Sequence, residues 1–580
     1  MSSDAILEVE NLGIRLRDRQ LVKNVSFSVG RNETLALVGE SGSGKTLTSL
    51  SIMQLLPRAL SVSSGRILFQ GRNLLELPAR EVRKISGNRV SMIFQEPMST
   101  LNPVMTVGYQ VREVLKAHSP MTNAEAEAQV VRMFERVRIP DARRRLNDYP
   151  HTFSGGMRQR IIIAAAIVCK PDLLIADEPT TALDITVQAQ VLSLLRELQD
   201  EYGMSVLFIT HDMGVVATIA DRVVVMRSGE MVETAPVERI FRQPEHSYTQ
   251  ELIRSSSAFE LDDRDAGDPA PGPFEPVLSV QGLTTRFDVK GGAWGGRIGQ
   301  VHAVEDVSFT IGKGETLAIV GESGSGKSTT GRALLGLNRP NSGSILYKGR
   351  RVSRFDPDET RHLRTGIQMI FQDPFGSLNP RLRIRDAIAE PLLCRKLCSG
   401  KAEAYERAAF YLEQVGLDPA MGERYPHEFS GGQRQRISIA KSLSLQPDVI
   451  VADEAVSALD VTTKVRVIDL LKQIQETYNI SMLFISHDIS AVNRISHRIA
   501  VMYMGRVVEI GPRRAVLREP AHEYTRRLLS ATLTTDTSKR GLAVDSAPRE
   551  LVSPIHPVGY EPAPCRMREV GAGHFVLAEI

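Results

Sequence analysis

The feature that most constrains this chain is that it is written twice. Gly39-Glu-Ser-Gly-Ser-Gly-Lys-Thr46 recurs 282 residues on as Gly321-Glu-Ser-Gly-Ser-Gly-Lys-Ser328. Phe153-Ser-Gly-Gly-Met-Arg-Gln-Arg160 recurs 276 residues on as Phe429-Ser-Gly-Gly-Gln-Arg-Gln-Arg436. The same 276 relates Asp177-Glu178 to Asp453-Glu454, His211-Asp212 to His487-Asp488, and Pro244-Glu-His-Ser-Tyr-Thr249 to Pro520-Ala-His-Glu-Tyr-Thr525. An offset that holds from Phe153 to Thr249 is duplication, and the drift from 282 to 276 places length changes before the Phe-Ser-Gly-Gly segment. The period far exceeds the roughly 20–50 residues of stacked repeats, so each copy is a whole domain.

The expected organisation is a first domain with a C-terminal extension over 1–255, a linker over 256–277, a second domain with its extension over 278–531, and a tail over 532–580. Between the copies, Glu260, Asp262, Asp263, Asp265, Asp268 and Glu275 alternate with Pro269, Pro271, Pro273 and Pro276, against the single base Arg264. That composition predicts an extended, solvated connection. The Thr/Ser/Pro-rich tail is expected to hold little independent structure before His574–Leu577.

Composition narrows the function classes. Hydrophobic residues at 42%, charged residues at 24% and a net charge of +3 describe a globular chain, not a disordered one, and give no support for a nucleic-acid coat. The longest apolar run, Ile161–Cys169, has nine residues, about half of the ~20 that a membrane-spanning helix needs. Met1–Glu10 lacks the basic and apolar regions of a signal peptide. Four cysteines, Cys169, Cys394, Cys398 and Cys565, make no disulfide framework, which predicts a reducing cytoplasm. Any membrane connection is then expected to come through a partner.

Short β-rich runs alternate with helical stretches in each copy. Thr34–Val38, Leu173–Ala176, Val206–Thr210 and Val223–Met226 read as buried strands, answered by Thr316–Val320, Val449–Ala452, Met482–Ser486 and Ile499–Met502. Strands separated by helices predict an α/β fold with a parallel sheet covered on both faces. The closer spacing over Ile6–Val29 and Leu278–Ile311 predicts an antiparallel subdomain at the start of each copy.

Gly-x-x-x-x-Gly-Lys-Thr/Ser after an apolar strand is the P-loop pattern, whose glycines let backbone N–H groups and a helix N-terminus cradle phosphates. Gly39, Ser41, Gly42, Ser43, Gly44, Lys45 and Thr46 form the first loop, and Gly321, Ser323, Gly324, Ser325, Gly326, Lys327 and Ser328 the second. The lysines reach the β- and γ-phosphates, and Thr46 and Ser328 hold Mg²⁺. Asp177-Glu178 and Asp453-Glu454 end apolar strands; the first acid supports Mg²⁺ and the second polarises the attacking water. His211 and His487 follow further strands, where an imidazole can hydrogen-bond a γ-phosphate.

Phe-Ser-Gly-Gly-Met/Gln-Arg-Gln-Arg, between P-loop and acidic strand, resembles the signature motif of ATP-binding cassette (ABC) ATPases, which generic P-loop enzymes lack. The resemblance covers nearly all of Leu7–Ala531. It implies two tandem P-loop NTPase domains, each with a RecA-like parallel core, an antiparallel β subdomain and a helical subdomain. It implies Gln95 and Gln372 as Q-loop glutamines, Ala182-Leu-Asp184 and Ala458-Leu-Asp460 as D-loops, His211 and His487 as switch histidines, and Glu178 and Glu454 as catalytic glutamates. The implied Mg²⁺ ligands are Thr46, Gln95 and Asp177 at one site and Ser328, Gln372 and Asp453 at the other. The implied sites are composite. Lys45, Glu178 and His211 pair with Ser430, Gly431 and Gly432, while Lys327, Glu454 and His487 pair with Ser154, Gly155 and Gly156.

A narrower resemblance rests on Pro-x-His-x-Tyr-Thr followed by a short helix (Gln250–Ser255, Arg526–Ala531), and on Glu96–Pro103 and Asp373–Pro380 after the Q-loop glutamines. These resemble the oligopeptide/dipeptide/nickel importer ATPases, the first copy similar to one of their subunit types and the second to the other. The resemblance implies ATP hydrolysis coupled to uptake of peptides or peptide-like solutes, at the cytoplasmic face of the inner membrane. Two transmembrane permeases, docked after each Q-loop glutamine, and indirectly an extracytoplasmic solute-binding protein are the implied partners. Nucleic acid is not among them.

Three positions depart from the pattern. Leu16 stands where the family usually stacks an aromatic residue on adenine, a role that Phe287 keeps in the second copy. Ala455-Val456 replaces Pro179-Thr180 and is expected to loosen the turn that aims Glu454. The four cysteines lie too far apart for the iron–sulfur cluster that some relatives carry, so none is expected, although Arg568–His574 resembles the end of such an extension. The competing function, a twin-cassette ATPase acting on ribosomes or DNA, fits less well, because the linker is short and acidic and zinc-binding cysteines are missing.

Overall fold

The computed structural model describes residues 5–95, 100–180, 183–257, 275–291, 296–352, 357–457, 459–532, 535, 537, 555–563 and 565–579. They fall into two units, one of Met1–Ser257 with Leu533–Ser546 and one of Ala258–Thr532 with Ala547–Ile580. Most of the stretch read as a linker, and the D-loop residues Ala182 and Ala458, lie outside the described residues.

The strands of the first unit are β1 (Ala5–Leu16), β2 (Arg19–Gly30), β3 (Thr34–Val38), β4 (Leu60–Phe69), β5 (Arg72–Asn73), β6 (Val90–Ile93), β7 (Leu173–Asp177), β8 (Ser205–Thr210), β9 (Arg222–Arg227) and β10 (Glu230–Pro236). They form an antiparallel sheet in the order β2-β1-β4-β5 and a second sheet in the order β10-β9-β3-β8-β7-β6. The second is parallel from β9 to β6, with β10 antiparallel to β9. Every residue of β3, β7 and β8 is buried, which is why these strands read as unbroken apolar runs. Strand β6, four residues long, offered no such pattern to the sequence reading. A helical layer of Val107–His118, Asn123–Arg136 and Gly155–Ile167 closes around Val111, Phe134 and Ile163.

The second unit repeats this plan. Its antiparallel sheet joins β11 (Pro276–Gly291), β12 (Gly296–Gly312), β14 (Ser342–Tyr347), β15 (Arg350–Val352) and the short β21 (Ile555–His556) in the order β15-β14-β11-β12-β21. Its main sheet joins β13 (Thr316–Val320), β16 (Ile367–Ile370), β17 (Val449–Asp453), β18 (Ser481–Ile485), β19 (Arg498–Tyr503) and β20 (Arg506–Pro512). Two tail strands, β22 (Cys565–Gly571) and β23 (His574–Glu579), extend it to the order β16-β17-β18-β13-β19-β20-β23-β22.

The tail corrects one expectation. Regular structure in the tail starts before His574, with the short β21 at Ile555–His556 paired to β12 and with β22 from Cys565, because β22 and β23 form a hairpin that borrows a sheet edge. Strand β23 pairs with β20 through Glu509↔Val576 and Ile510↔Phe575. His574 Nε2 meets the fully buried Glu509 Oε1 at 2.7 Å. At the other end of the linker reading, Ser256 and Ser257 belong to the helix Ser247–Ser257, and Pro276 and Val277 open β11.

Candidate functional site

Both P-loops begin where a buried strand stops. Gly39, after β3, has φ +153°, and a Cβ there would lie 2.2 Å from the Met226 carbonyl oxygen; Gly321 repeats this with φ +154° and 2.2 Å from the Met502 carbonyl oxygen. Only glycine lets the backbone pass so close to the neighbouring strand. The loops run into the helices Lys45–Ile52 and Lys327–Leu334, whose first residues are the two lysines.

Each lysine is folded back onto its own loop. Lys45 Nζ donates to the Gly39 oxygen at 2.7 Å and the Glu40 oxygen at 2.9 Å, and Lys327 Nζ to the Gly321 and Glu322 oxygens, both at 2.8 Å. Beside them, Thr46 Oγ1 lies 3.4 Å from Asp177 Oδ1, and Ser328 Oγ 2.7 Å from Asp453 Oδ1. Paired oxygens of this kind suit a hard divalent cation.

The first acids sit at the ends of β7 and β17 with about 1% of their surface exposed. Burial pushes Asp177 up to about 6; the Thr46 hydroxyl and Lys45 pull it back, while the charge of Glu178 adds to the rise. Asp453 is raised too, again chiefly by burial, with Ser328 opposing.

The second acids hold an uncommon backbone shape, with φ 46° at Glu178 and 48° at Glu454, in the left-handed region that costs a non-glycine residue energy. Each shape is fixed by a bond from the glutamate N–H to the next strand, to the Ile209 oxygen and the Ile485 oxygen, both at 2.9 Å. With Ala455 in place of Pro179, the acid's φ and its N–H bond to the next strand are alike in the two copies.

Two predicted residues from distant parts of the sequence, a glutamine and a histidine, meet each glutamate. Gln95 Nε2 donates to Glu178 Oε2 at 3.0 Å, and His211 Nδ1 meets Glu178 Oε1 at 2.9 Å. In the second copy Gln372 Nε2 donates to Glu454 Oε2 at 2.7 Å, while His487 Nδ1 stands 3.4 Å from Glu454 Oε1. Burial opposes the charge of Glu454, but the hydrogen bond and charge of His487 together with Lys327 outweigh it and hold the carboxyl below its usual range.

The signature serines cap helices. Ser154 accepts from the Met157 N–H at 3.3 Å at the start of Gly155–Ile167. Ser430 accepts from the Gln433 N–H, and Gln433 returns a bond from the Ser430 N–H at 3.0 Å, completing a capping box that Met157 cannot make. Gly155 and Gly431 face open space or a contact of 4.0 Å, whereas a Cβ on Gly156 or Gly432 would lie 2.6 Å from Val187 or 2.4 Å from Thr463. Leu16 and Phe287, the two adenine positions, lie on β1 and β11 with 37% and 42% of their surface exposed.

A second-copy contact went unread in the sequence. Lys464, in the first turn of the helix Val461–Tyr478, donates to Asp488 Oδ2 at 2.7 Å, while Asp488 Oδ1 caps the helix Ile489–Ile495. The corresponding Gln188 makes no bond to Asp212 among the described residues, so the copies differ here. Only comparison of the two copies, Lys against Gln after the D-loop aspartate, could have flagged it.

The sequence matches the ABC transporter family over residues 22–181 and 304–457, and the oligopeptide/dipeptide transporter C-terminal region over 232–273 and 508–556. It is 49% identical to the glutathione import ATP-binding protein GsiA of Pectobacterium atrosepticum, over 98% of this chain and 96% of that protein. The protein of the same name from Escherichia coli strain K12 matches at the same identity and shares. Among solved structures, cbiO1 from Clostridium perfringens, part of the ABC transporter complex cbiONQ, aligns at 26% identity and a TM-score of 0.37, over 42% of this chain and 92% of that one. With two P-loops, two signature helices and two acid–histidine pairs on one chain, the protein belongs to the ABC transporter family, as a twin-cassette, ATP-hydrolysing member with the oligopeptide/dipeptide C-terminal region in both copies.

Proposed function

We propose that the chain is the ATPase subunit of an importer of peptide-like solutes, working at the cytoplasmic face of the inner membrane. Two permease subunits form its pore, and an extracytoplasmic solute-binding protein chooses the cargo. The names of the relatives, glutathione import proteins, support this solute class, as does the extension repeated after each cassette. Among the described residues no helix is long and apolar enough to cross a membrane, in keeping with a pore supplied by other chains.

The observation that carries the ATPase part is the Gln–Glu–His cluster, built beside a hydroxyl–aspartate pair in each copy. ATP lies with its phosphates in each P-loop, its adenine against Leu16 or Phe287. Lys45 and Lys327 leave the loop carbonyls for the β- and γ-phosphates. Thr46, Asp177 and Gln95, with Ser328, Asp453 and Gln372, are the ligands for Mg²⁺, which when bound neutralises phosphate charge. Glu178 and Glu454 orient and deprotonate the attacking water, and His211 and His487 donate to the γ-phosphoryl oxygens. Each site is completed by the other cassette's signature residues, Ser430–Gly432 for the first and Ser154–Gly156 for the second. Helix N-terminal amides there add donors where transition-state charge grows.

Both sites hydrolyse. In single-turnover assays Glu178→Gln and Glu454→Gln each lower hydrolysis, and the double variant loses about 10²-fold or more; one substitution abolishing it while the other does nothing would overturn the equality. For the solute, cells lacking this chain lose growth on glutathione or short peptides as sole sulfur or amino-acid source. Co-sedimentation of the protein with ribosomes instead of permeases would sink the importer reading.

A further inference from the structure

The motif Pro-x-His-x-Tyr-Thr is a repeated element that the ATPase reading leaves unused, and its tyrosines end in an unexpected place. Tyr248 and Tyr524 are buried, at 2% and 4% exposure. Tyr248 Oη accepts a hydrogen bond from the Glu40 N–H at 3.0 Å, and Tyr524 Oη accepts one from the Glu322 N–H at 3.0 Å. Glu40 and Glu322 are the second residues of the two P-loops.

The peptide unit involved is the one that also holds the lysine. Between Gly39 and Glu40, the N–H side is fixed by Tyr248 and the carbonyl side accepts from Lys45 Nζ at 2.7 Å. Between Gly321 and Glu322, Tyr524 and Lys327 Nζ take the same two sides at 3.0 Å and 2.8 Å. A planar peptide cannot turn one end without turning the other, and Gly39 and Gly321 give this unit the freedom to turn. The tyrosine hydroxyl is therefore what sets the orientation of the carbonyl on which the resting lysine waits.

The tyrosines are themselves held. Glu233 accepts from the Glu245 and His246 N–H groups at 2.9 and 3.0 Å, and Glu509 from the Ala521 and His522 N–H groups at 2.8 and 3.0 Å. His246 Nδ1 and His522 Nδ1 then accept from the tyrosines' own N–H groups, both at 3.1 Å. The guanidinium of Arg227 lies 4.7 Å from the Tyr248 ring centre, and that of Arg527 5.3 Å from the Tyr524 ring centre. A strand glutamate, the motif histidine and an arginine beside the ring thus hold each tyrosine whose hydroxyl meets the loop peptide.

We infer that Tyr248 and Tyr524 are positioning residues for nucleotide binding, through which the C-terminal extension of each cassette sets the shape of its own P-loop. Removing the hydroxyl leaves a buried N–H without its acceptor and lets the Gly-Glu peptide turn, so that the lysine and the loop amides no longer start aligned for phosphate. The inference rests on the reading of Lys45 and Lys327 as phosphate ligands.

The test uses the full-length chain, with Glu454→Gln added so that ATP turnover reports the first site. Tyr248→Phe, which keeps the ring, raises the KM for ATP about tenfold while kcat stays within about threefold, the loss expected from one buried hydrogen bond. Tyr524→Phe does the same in the Glu178→Gln background. Ile240→Val, in the same buried cluster as Tyr248, lowers the melting temperature by a similar amount but leaves the KM within twofold. A KM unchanged in Tyr248→Phe overturns the inference, and so does an equal rise in Ile240→Val, which would make the effect one of stability alone. Lys45→Ala separates the underlying reading. If it keeps full affinity for ATP in the first site, that reading fails and takes the inference with it.

Discussion

At the scale of single residues, burial raises the first acid of each pair, Asp177 and Asp453, while in the second copy His487 and Lys327 lower the second acid, Glu454. Asp177, raised to about 6 by burial, holds its proton in the metal- and nucleotide-free protein until the pH rises past about 6. The stability it contributes as a neutral acid is full below the unfolded value of 3.8 and is lost as pH rises through about 6. Asp177→Asn should therefore stabilise the metal- and nucleotide-free protein by about 3 kcal/mol at pH 7.5, a gain that vanishes towards pH 4 in thermal melts. The signature glycines predict a sharper contrast. Gly155→Ala meets nothing within 4 Å and should leave the melting temperature unchanged while depressing ATP turnover; Gly156→Ala strikes Val187 at 2.6 Å and should cost about 1–3 kcal/mol. The chemistry-bearing residues were legible because phosphate loops and acidic strand ends are local patterns. Their meeting was not. Gln95 and Glu178 lie 83 residues apart, Glu40 and Tyr248 208 apart, and no local pattern records such contacts.

At the scale of elements, the buried strands were readable from unbroken apolar runs, and their ends fell within a residue or two of the structure. Strands β6 and β16 escaped, being four residues long at the outer edges of their sheets. The tail hairpin escaped for another reason: β22 is largely exposed and draws its order from β23, which draws its own from β20. Helix ends supply the measurable asymmetry between copies. Lys464 joins the helix after one D-loop aspartate to the cap of the helix after His487, and burial of Asp488 is outweighed by that cation and the capping N–H, which hold its carboxyl below the usual range. Lys464→Gln removes one partner of this pair and should destabilise the second unit by about 2 kcal/mol. The corresponding Gln188→Ala should cost less than about 0.5 kcal/mol. Chemical denaturation followed separately for the two units would show both.

At the scale of the whole molecule, duplication explains why so much was visible from one sequence: each copy served as the other's control. What duplication did not predict is where the copies stop matching. Glu233 and Glu509 occupy equivalent positions on β10 and β20 and accept equivalent pairs of N–H groups, but among the described residues Glu509 alone also receives a histidine from the tail. Deleting 555–580 should strip β20 of its neighbour and leave Glu509 without His574. That truncation should lower the melting temperature of the second unit and leave the first unaffected, as read by calorimetry. The hairpin has a further consequence. Among the described residues β10 has no strand on its outer side, whereas β20 is covered by β23. By occupying β20 within its own chain, the hairpin covers an edge whose unpaired N–H and C=O groups would otherwise be open to another strand.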